Sequence, residues 1–163
     1  MATQFDKKLG VEAEKVVKQF FESKGHKFIL SQDKYDSEKD AILIPKNFEE
    51  EYKTEIKLST RYKIFNSFTI TLEDENTSSI YGNQLSKCSN VDILIFCQRP
   101  EKNDPVFKIY QTQPVGSRYF DIKRNTKDNR LVAHFYIDKM KLIGIITDEE
   151  IVNKFMIKEK AYA

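Results

Sequence analysis

The residues Val91, Ile93, Leu94, Ile95, Phe96 and Cys97 form a run that is apolar on both faces of an extended chain. A strand buried at the centre of a sheet reads this way, because neither of its sides meets water. The rest of the sequence is patterned to surround such a strand. Residues Asp6 to Lys24 predict a helix: Leu9, Ala13, Val16, Val17, Phe20 and Phe21 recur at helical spacing, and Gly25 is a natural stop. Phe28-Ile29-Leu30 and Ala41-Ile42-Leu43-Ile44 are short strand candidates, the second closed by Pro45. A polar turn from Asn47 to Glu51 leads into Tyr52–Leu58. There Thr54, Ile56 and Leu58 face one side, and Lys53, Glu55 and Lys57 the other. Phe68, Ile70 and Leu72 alternate in a further strand.

A second helix is expected after the cap Thr77-Ser78-Ser79, carrying Ile80, Leu85 and Cys88. Val106–Tyr110, Leu131–Ile137 and Leu142–Ile146 read as strands, with Pro100 and Pro105 bracketing the loop before the first of them. Thr147-Asp148-Glu149-Glu150 fits a capping box that opens a terminal helix on Ile151, Val152, Phe155 and Met156. With no internal repeat or linker, the 163 residues predict a single α/β domain built on a mixed central sheet. A chain of this length buries roughly 70% of its unfolded surface and needs no metal or disulfide to hold a core.

Composition narrows the class. Cys88 and Cys97 stand nine positions apart with no CxxC, and His26 and His134 are distant from both. A structural zinc site and a secreted disulfide scaffold are therefore not expected; two buried free thiols in a reducing cytosol are. No apolar h-region opens the chain and no run approaches the ~18 residues of a membrane span, so a cytoplasmic protein without membrane contact is expected. The net charge of +2 excludes a histone-like arm but not local basic patches. Two such segments exist. Residues 53–63 hold Lys53, Lys57, Arg61 and Lys63 against Glu55, with Tyr62 interleaved. Residues 118–130 hold Arg118, Lys123, Arg124, Lys127 and Arg130 against Asp121 and Asp128, beside Tyr119 and Phe120. Either segment suits phosphate contact or a solvated loop.

One constellation carries chemistry. Asp40 stands at the mouth of the Ala41–Ile44 strand, fourteen residues intervene before Glu55, and Lys57 follows two later. Alternation places Glu55 and Lys57 on one strand face, ~7 Å apart. A hairpin between the two strands brings Asp40 beside Glu55. Adjacent carboxylates repel unless a cation lies between them, and hard oxygen ligands suit Mg²⁺ or Mn²⁺. Such an ion can activate water and neutralise phosphate charge, while a neighbouring lysine stabilises the transition state. Phosphodiester hydrolysis needs these parts. Asp36 is a rival for the Asp40 role, Glu73 is a further carboxylate within reach, and no chemical role is expected for His26 or His134.

In these residues the chain resembles the PD-(D/E)XK nuclease superfamily. Lys39-Asp40-Ala41-Ile42-Leu43-Ile44 stands for the first half-motif, without the usual proline before Asp40, and Glu55-Ile56-Lys57 for the second. The leading helix, with Gly10-Val11-Glu12-Ala13-Glu14 and Gly25, is similar to the first helix of archaeal Holliday-junction resolvases. That helix commonly carries an active-site glutamate eleven residues before its closing glycine, the spacing of Glu14 to Gly25. Helical geometry alone leaves Glu12 and Glu14 open, since they flank opposite edges of the apolar stripe; the resemblance favours Glu14. It implies a restriction-endonuclease-like core, a mixed sheet flanked by helices. It also implies a metal-dependent endonuclease on double-stranded or branched DNA, either structure-selective or restriction-like.

In that reading Asp40, Glu55 and the Ile56 carbonyl hold Mg²⁺, or Mn²⁺ in its place. Lys57 serves the water and Glu14 supports the metal. Arg61, Lys63, Gln84, Lys123, Arg124 and Lys127 meet the nucleic acid. Cutting both strands calls for two active sites and hence a homodimer. The resemblance spans Leu9 to Gln98 and says nothing of the remainder. The alternative is a non-catalytic nucleic-acid- or protein-binding module retaining the nuclease fold.

Overall fold

The computed structural model describes residues 4–32, 40–59, 67–71, 91–112, 120–124, 126 and 129–156. Helix α1 (Gln4–Ser23) leads into strands β1 (Lys27–Leu30), β2 (Ala41–Ile44), β3 (Tyr52–Ser59) and β4 (Ser67–Thr71). Strands β5 (Ile93–Gln98), β6 (Phe107–Gln111), β7 (Phe120–Arg124) and β8 (Leu131–Tyr136) follow. A 3₁₀ turn (Ile137–Lys139), β9 (Lys141–Ile146) and helix α2 (Glu149–Phe155) close the order.

Six strands form one sheet in the order β1-β2-β3-β5-β6-β9, and three form another, β4-β8-β7. The larger sheet is mixed: β3 and β5 run parallel, and its other neighbours antiparallel. This is the α/β class with the mixed sheet expected. Strand β5 lies inside it, every residue buried, as its two-sided apolar run requires.

Alternation along β5 divides the core into two layers. Ile93, Ile95 and Cys97 point to the side where α1 presents Leu9, Ala13, Val17 and Phe21 and where α2 presents Phe155. Leu94 and Phe96 point to the other side, where Phe68 and Ile70 of β4 and Ala133 and Phe135 of β8 cover them. The Phe96 ring stacks on Phe68 at 4.8 Å between centroids and meets Phe135 at 5.0 Å. Among the described residues, then, helices flank one face of the sheet and a second sheet flanks the other. Helices on the flanks were the expectation. The small sheet arises because Phe68 and Ile70 pair with residues more than sixty positions away, at Phe135 and Ala133. The expected helix at 77–88 lies outside the described residues.

Local chemistry sets the boundaries. Helix α1 ends in a Schellman motif: the Gly25 N–H donates to Glu22 O (3.0 Å) and the His26 N–H to Phe21 O (3.2 Å). Gly25 has φ +90°, which costs a side chain strain, and a Cβ there would meet the Lys46 Cδ at 3.1 Å. Gly25→Ala should therefore lower stability by about 1 kcal/mol or more, read as a lower urea midpoint at unchanged slope. His26 is a turn residue whose Nδ1 accepts from the Lys46 N–H at 2.8 Å, tying the start of β1 to the end of β2. Helix α2 is capped one residue later than the capping box predicts. Asp148, not Thr147, accepts from the Glu150 and Ile151 N–H groups. At its other end the buried Arg99 donates through Nε to the Phe155 carbonyl (3.3 Å).

Cys97 is a buried free thiol, as expected, and burial raises its pKa far above the ordinary thiol value, so it is inert. Cys88 lies outside the described residues. Among the described residues no helix is long and apolar enough to cross a membrane.

Candidate active site

The site forms where β2 begins against β3. Their antiparallel register pairs Ala41 with Thr54 and Leu43 with Tyr52. One residue earlier the chain bends, and Asp40 is held from three sides. Its N–H donates to Thr54 O (2.9 Å) and its carbonyl accepts from the Ser31 N–H (2.9 Å). Its Oδ2 accepts from the Ile56 N–H (2.8 Å). The carboxylate thus sits on the peptide that joins Glu55 to Ile56. In a strand the N–H and C=O of one residue point to the same edge. The Ile56 carbonyl therefore lies along the edge that Asp40 occupies, beyond the Ala41–Thr54 pair. Alternate residues of β3 point to β5 instead, as the bond from Asp92 N–H to Lys53 O shows (2.9 Å).

Side chains on β3 divide as the alternation predicts. Ile56 and Leu58 join the core under α1. Glu55 and Lys57 project from the opposite face, in register with Leu94 and Phe96 of β5. The Glu55 side chain is 2% exposed and the Lys57 side chain 25%, with Nζ 3.9 Å from Oε1. Burial makes a carboxylate expensive unless a positive charge accompanies it, and the Lys57 ammonium supplies one at ion-pair distance. The donors at this edge are hard oxygens: the Asp40 carboxylate, the Glu55 carboxylate and the Ile56 carbonyl. That chemistry fits Mg²⁺ or Mn²⁺. Among the described residues no three acidic, histidine or cysteine side chains converge as a metal-ligating group. The expected set has two carboxylates and takes its third oxygen from the backbone.

The two helix glutamates part company. Glu12 pairs with Lys15 (3.4 Å) and with Lys154 of α2 (3.2 Å), and the bond from Lys154 foremost holds its carboxyl below the usual range. Its flank of α1 faces α2. Glu14, half-buried, lies one turn before Lys18, whose ammonium donates to the Phe28 carbonyl of β1 at 2.6 Å. One turn is ~5.4 Å of rise, somewhat under two strand residues. Because α1 and β1 run in opposite directions, Glu14 is level with Leu30, which pairs with Ala41 beside Asp40. Glu12 is thus turned toward α2, and the assignment of Glu14 to the site rests on the resemblance.

The expected nucleic-acid contacts are only partly described. Lys123 and Arg124 are exposed on β7, so this part of the basic segment is a strand and not a solvated loop. Arg61, Lys63, Gln84 and Lys127 lie outside the described residues, as do Asp36 and Glu73. His134, on β8, bonds through Nδ1 with Ser67 Oγ (3.2 Å), and burial foremost, then Lys123, lowers its pKa. Sequence reasoning missed the bond from the Ile56 N–H to Asp40. A carboxylate just before a strand is its signal, but the partner is set by where that strand pairs.

The fold and site define an α/β protein with a two-carboxylate, one-lysine edge on its central sheet. Set against protein-family models, curated proteins and solved structures, the chain matches none.

Proposed function

We propose that this protein is a metal-dependent endonuclease that hydrolyses phosphodiester bonds in DNA. The observation that carries the reading is the seat of Asp40 on the Ile56 N–H, next to Glu55 and two residues from Lys57. Asp40, Glu55 and the Ile56 carbonyl would hold Mg²⁺. When bound, the ion makes water a stronger nucleophile and offsets the charge of the phosphate. The chain does the rest. The Ile56 N–H and the two backbone bonds of Asp40 fix its carboxylate before any ligand arrives, so little reorganisation is left for the reaction. Lys57 donates a hydrogen bond to the attacking water or to the phosphate oxygen that gains charge. Glu14 closes the site from α1. Two such sites are needed to cut a duplex through, so a homodimer is part of the proposal.

The test is incubation with supercoiled plasmid, linear duplex and branched DNA in Mg²⁺, Mn²⁺ or EDTA. Cleavage in either metal and none in EDTA is expected. Binding without cleavage in all three would favour a non-catalytic nucleic-acid-binding module instead.

The basic segment is tested by removing its charges. Replacing Lys123, Arg124 and Lys127 together with alanine should weaken duplex binding. It should also flatten the slope of log K against log salt by up to ~2.7, for three phosphate contacts. An unchanged slope would remove this segment from the interface.

A further inference from the structure

The face of the small sheet turned away from β5 has no part in the site above, yet it carries two aromatic rings beside lysines. Register and alternation set Ser67 and Thr69 of β4, Val132, His134 and Tyr136 of β8, and Asp121 and Lys123 of β7 on it; Ser67 and Val132 are buried, and the others are partly or fully exposed. The His134 and Tyr136 rings are nearly parallel, 19° apart with centroids at 6.4 Å, and both are partly exposed. Ser67 fixes the histidine. Burial foremost, then Lys123, lowers its pKa, which disfavours a positive charge on the ring.

Two ammoniums meet Tyr136. Lys123 Nζ is 2.9 Å from the hydroxyl and 5.6 Å from the ring centroid; together these distances set it beyond the hydroxyl rather than above the ring. Lys139, from the 3₁₀ turn, also stands 5.6 Å from the centroid. The one acidic neighbour described on this face is Asp121, 4.0 Å from Lys123 and 57% exposed.

We propose that this face binds single-stranded DNA, with a base stacked on the Tyr136 ring and flanking phosphates on Lys123 and Lys139. The proposal deepens the nuclease reading, on which it rests for the choice of DNA as ligand, by naming an unpaired strand as the substrate element. Aromatic rings on a sheet face, with cations at their rim, are what sequence-tolerant single-strand binding uses. A duplex hides the faces of its bases and has no comparable use for the ring. An entering base displaces Lys139 from the ring, and a phosphate of the same strand receives it. A cation–π contact is thereby exchanged for an ion pair.

The experiment is fluorescence anisotropy of a labelled oligothymidine, and of a duplex of the same length, in EDTA so that no cleavage intervenes. The parent should bind the single strand more tightly than the duplex. Tyr136→Ala should weaken single-strand binding roughly tenfold or more and leave duplex binding within about twofold. Tyr136→Phe keeps the ring and should bind as the parent. Lys139→Ala should flatten the single-strand salt slope by ~0.7.

Photocrosslinking the parent to 5-iodouracil DNA, with peptide mapping, covers the case in which Tyr136→Ala does not fold: adducts are expected at Tyr136 or His134. A parent that ignores oligothymidine, a folded Tyr136→Ala that binds it like the parent, or adducts confined to other elements would overturn the proposal. Platform and nuclease fail separately. Tyr136-dependent binding with no cleavage in any metal removes the nuclease alone, and cleavage with Tyr136-independent binding removes the platform alone.

Discussion

Glu55→Gln should stop DNA cleavage while leaving the fold and DNA affinity in place. Glutamine preserves the volume of a side chain that is 2% exposed, so packing beside Leu94 is retained. What is lost is the anionic oxygen that a hard cation requires. Loss of metal activation removes ~3–5 kcal/mol of transition-state stabilisation, a fall in rate of roughly a hundredfold to several thousandfold. Lys57→Ala acts differently. The lysine is not a ligand, so the rate should fall while metal affinity holds. Time courses of plasmid nicking, run beside calorimetric metal titrations, separate the two. Parent-like cleavage by Glu55→Gln would take Glu55 out of the active site.

Phe96→Ala should cost ~3–5 kcal/mol of stability. Phe96 is 1% exposed and its ring lies between those of Phe68 and Phe135, the contact by which the small sheet covers the larger one. Truncation leaves a cavity between two strand layers that close pairing keeps from collapsing. Urea denaturation should show a much lower midpoint at a similar slope. A loss below about 1 kcal/mol would mean that β4 and β8 do not close that face of β5. Glu55 projects from the same face of the sheet, in register with Leu94, so Phe96→Ala should also loosen the surroundings of this carboxylate and slow cleavage.

What the sequence made legible is what depends on near neighbours. Gly25 marks the end of α1 because a left-handed residue is needed there. The alternation from Lys53 to Leu58 separates Glu55 and Lys57 from Ile56 and Leu58 correctly. The doubly apolar run through Phe96 identifies the buried strand. Distant pairing was not legible. Phe68 and Ile70 show only that one face of β4 is buried, not that Phe135 and Ala133 share it. Phe120–Arg124 reads as a basic segment because Asp121 and Lys123 take the outer face of an edge strand whose Ile122 is itself 46% exposed. Arg99 at the end of α2 carries no sequence signal, since its acceptor is a backbone carbonyl 56 residues away. At the candidate site, the residue types and strand order anticipate that Asp40, Glu55 and Lys57 lie close together. The bend that turns Asp40 onto the Ile56 N–H depends on backbone bonds to Ser31 and Thr54, which a motif does not encode.

Asp40 and Glu55 are proposed to hold one divalent ion at the edge of β3. Titration with Mn²⁺, with the free ion followed by electron paramagnetic resonance, measures this without reference to any substrate. One Mn²⁺ per chain is expected in the parent and in Lys57→Ala. Affinity should be at least about tenfold weaker in both Asp40→Asn and Glu55→Gln, each of which removes one of the two proposed anionic ligands. A parent that binds no Mn²⁺, or carboxylate variants that bind it as the parent does, would contradict the proposal.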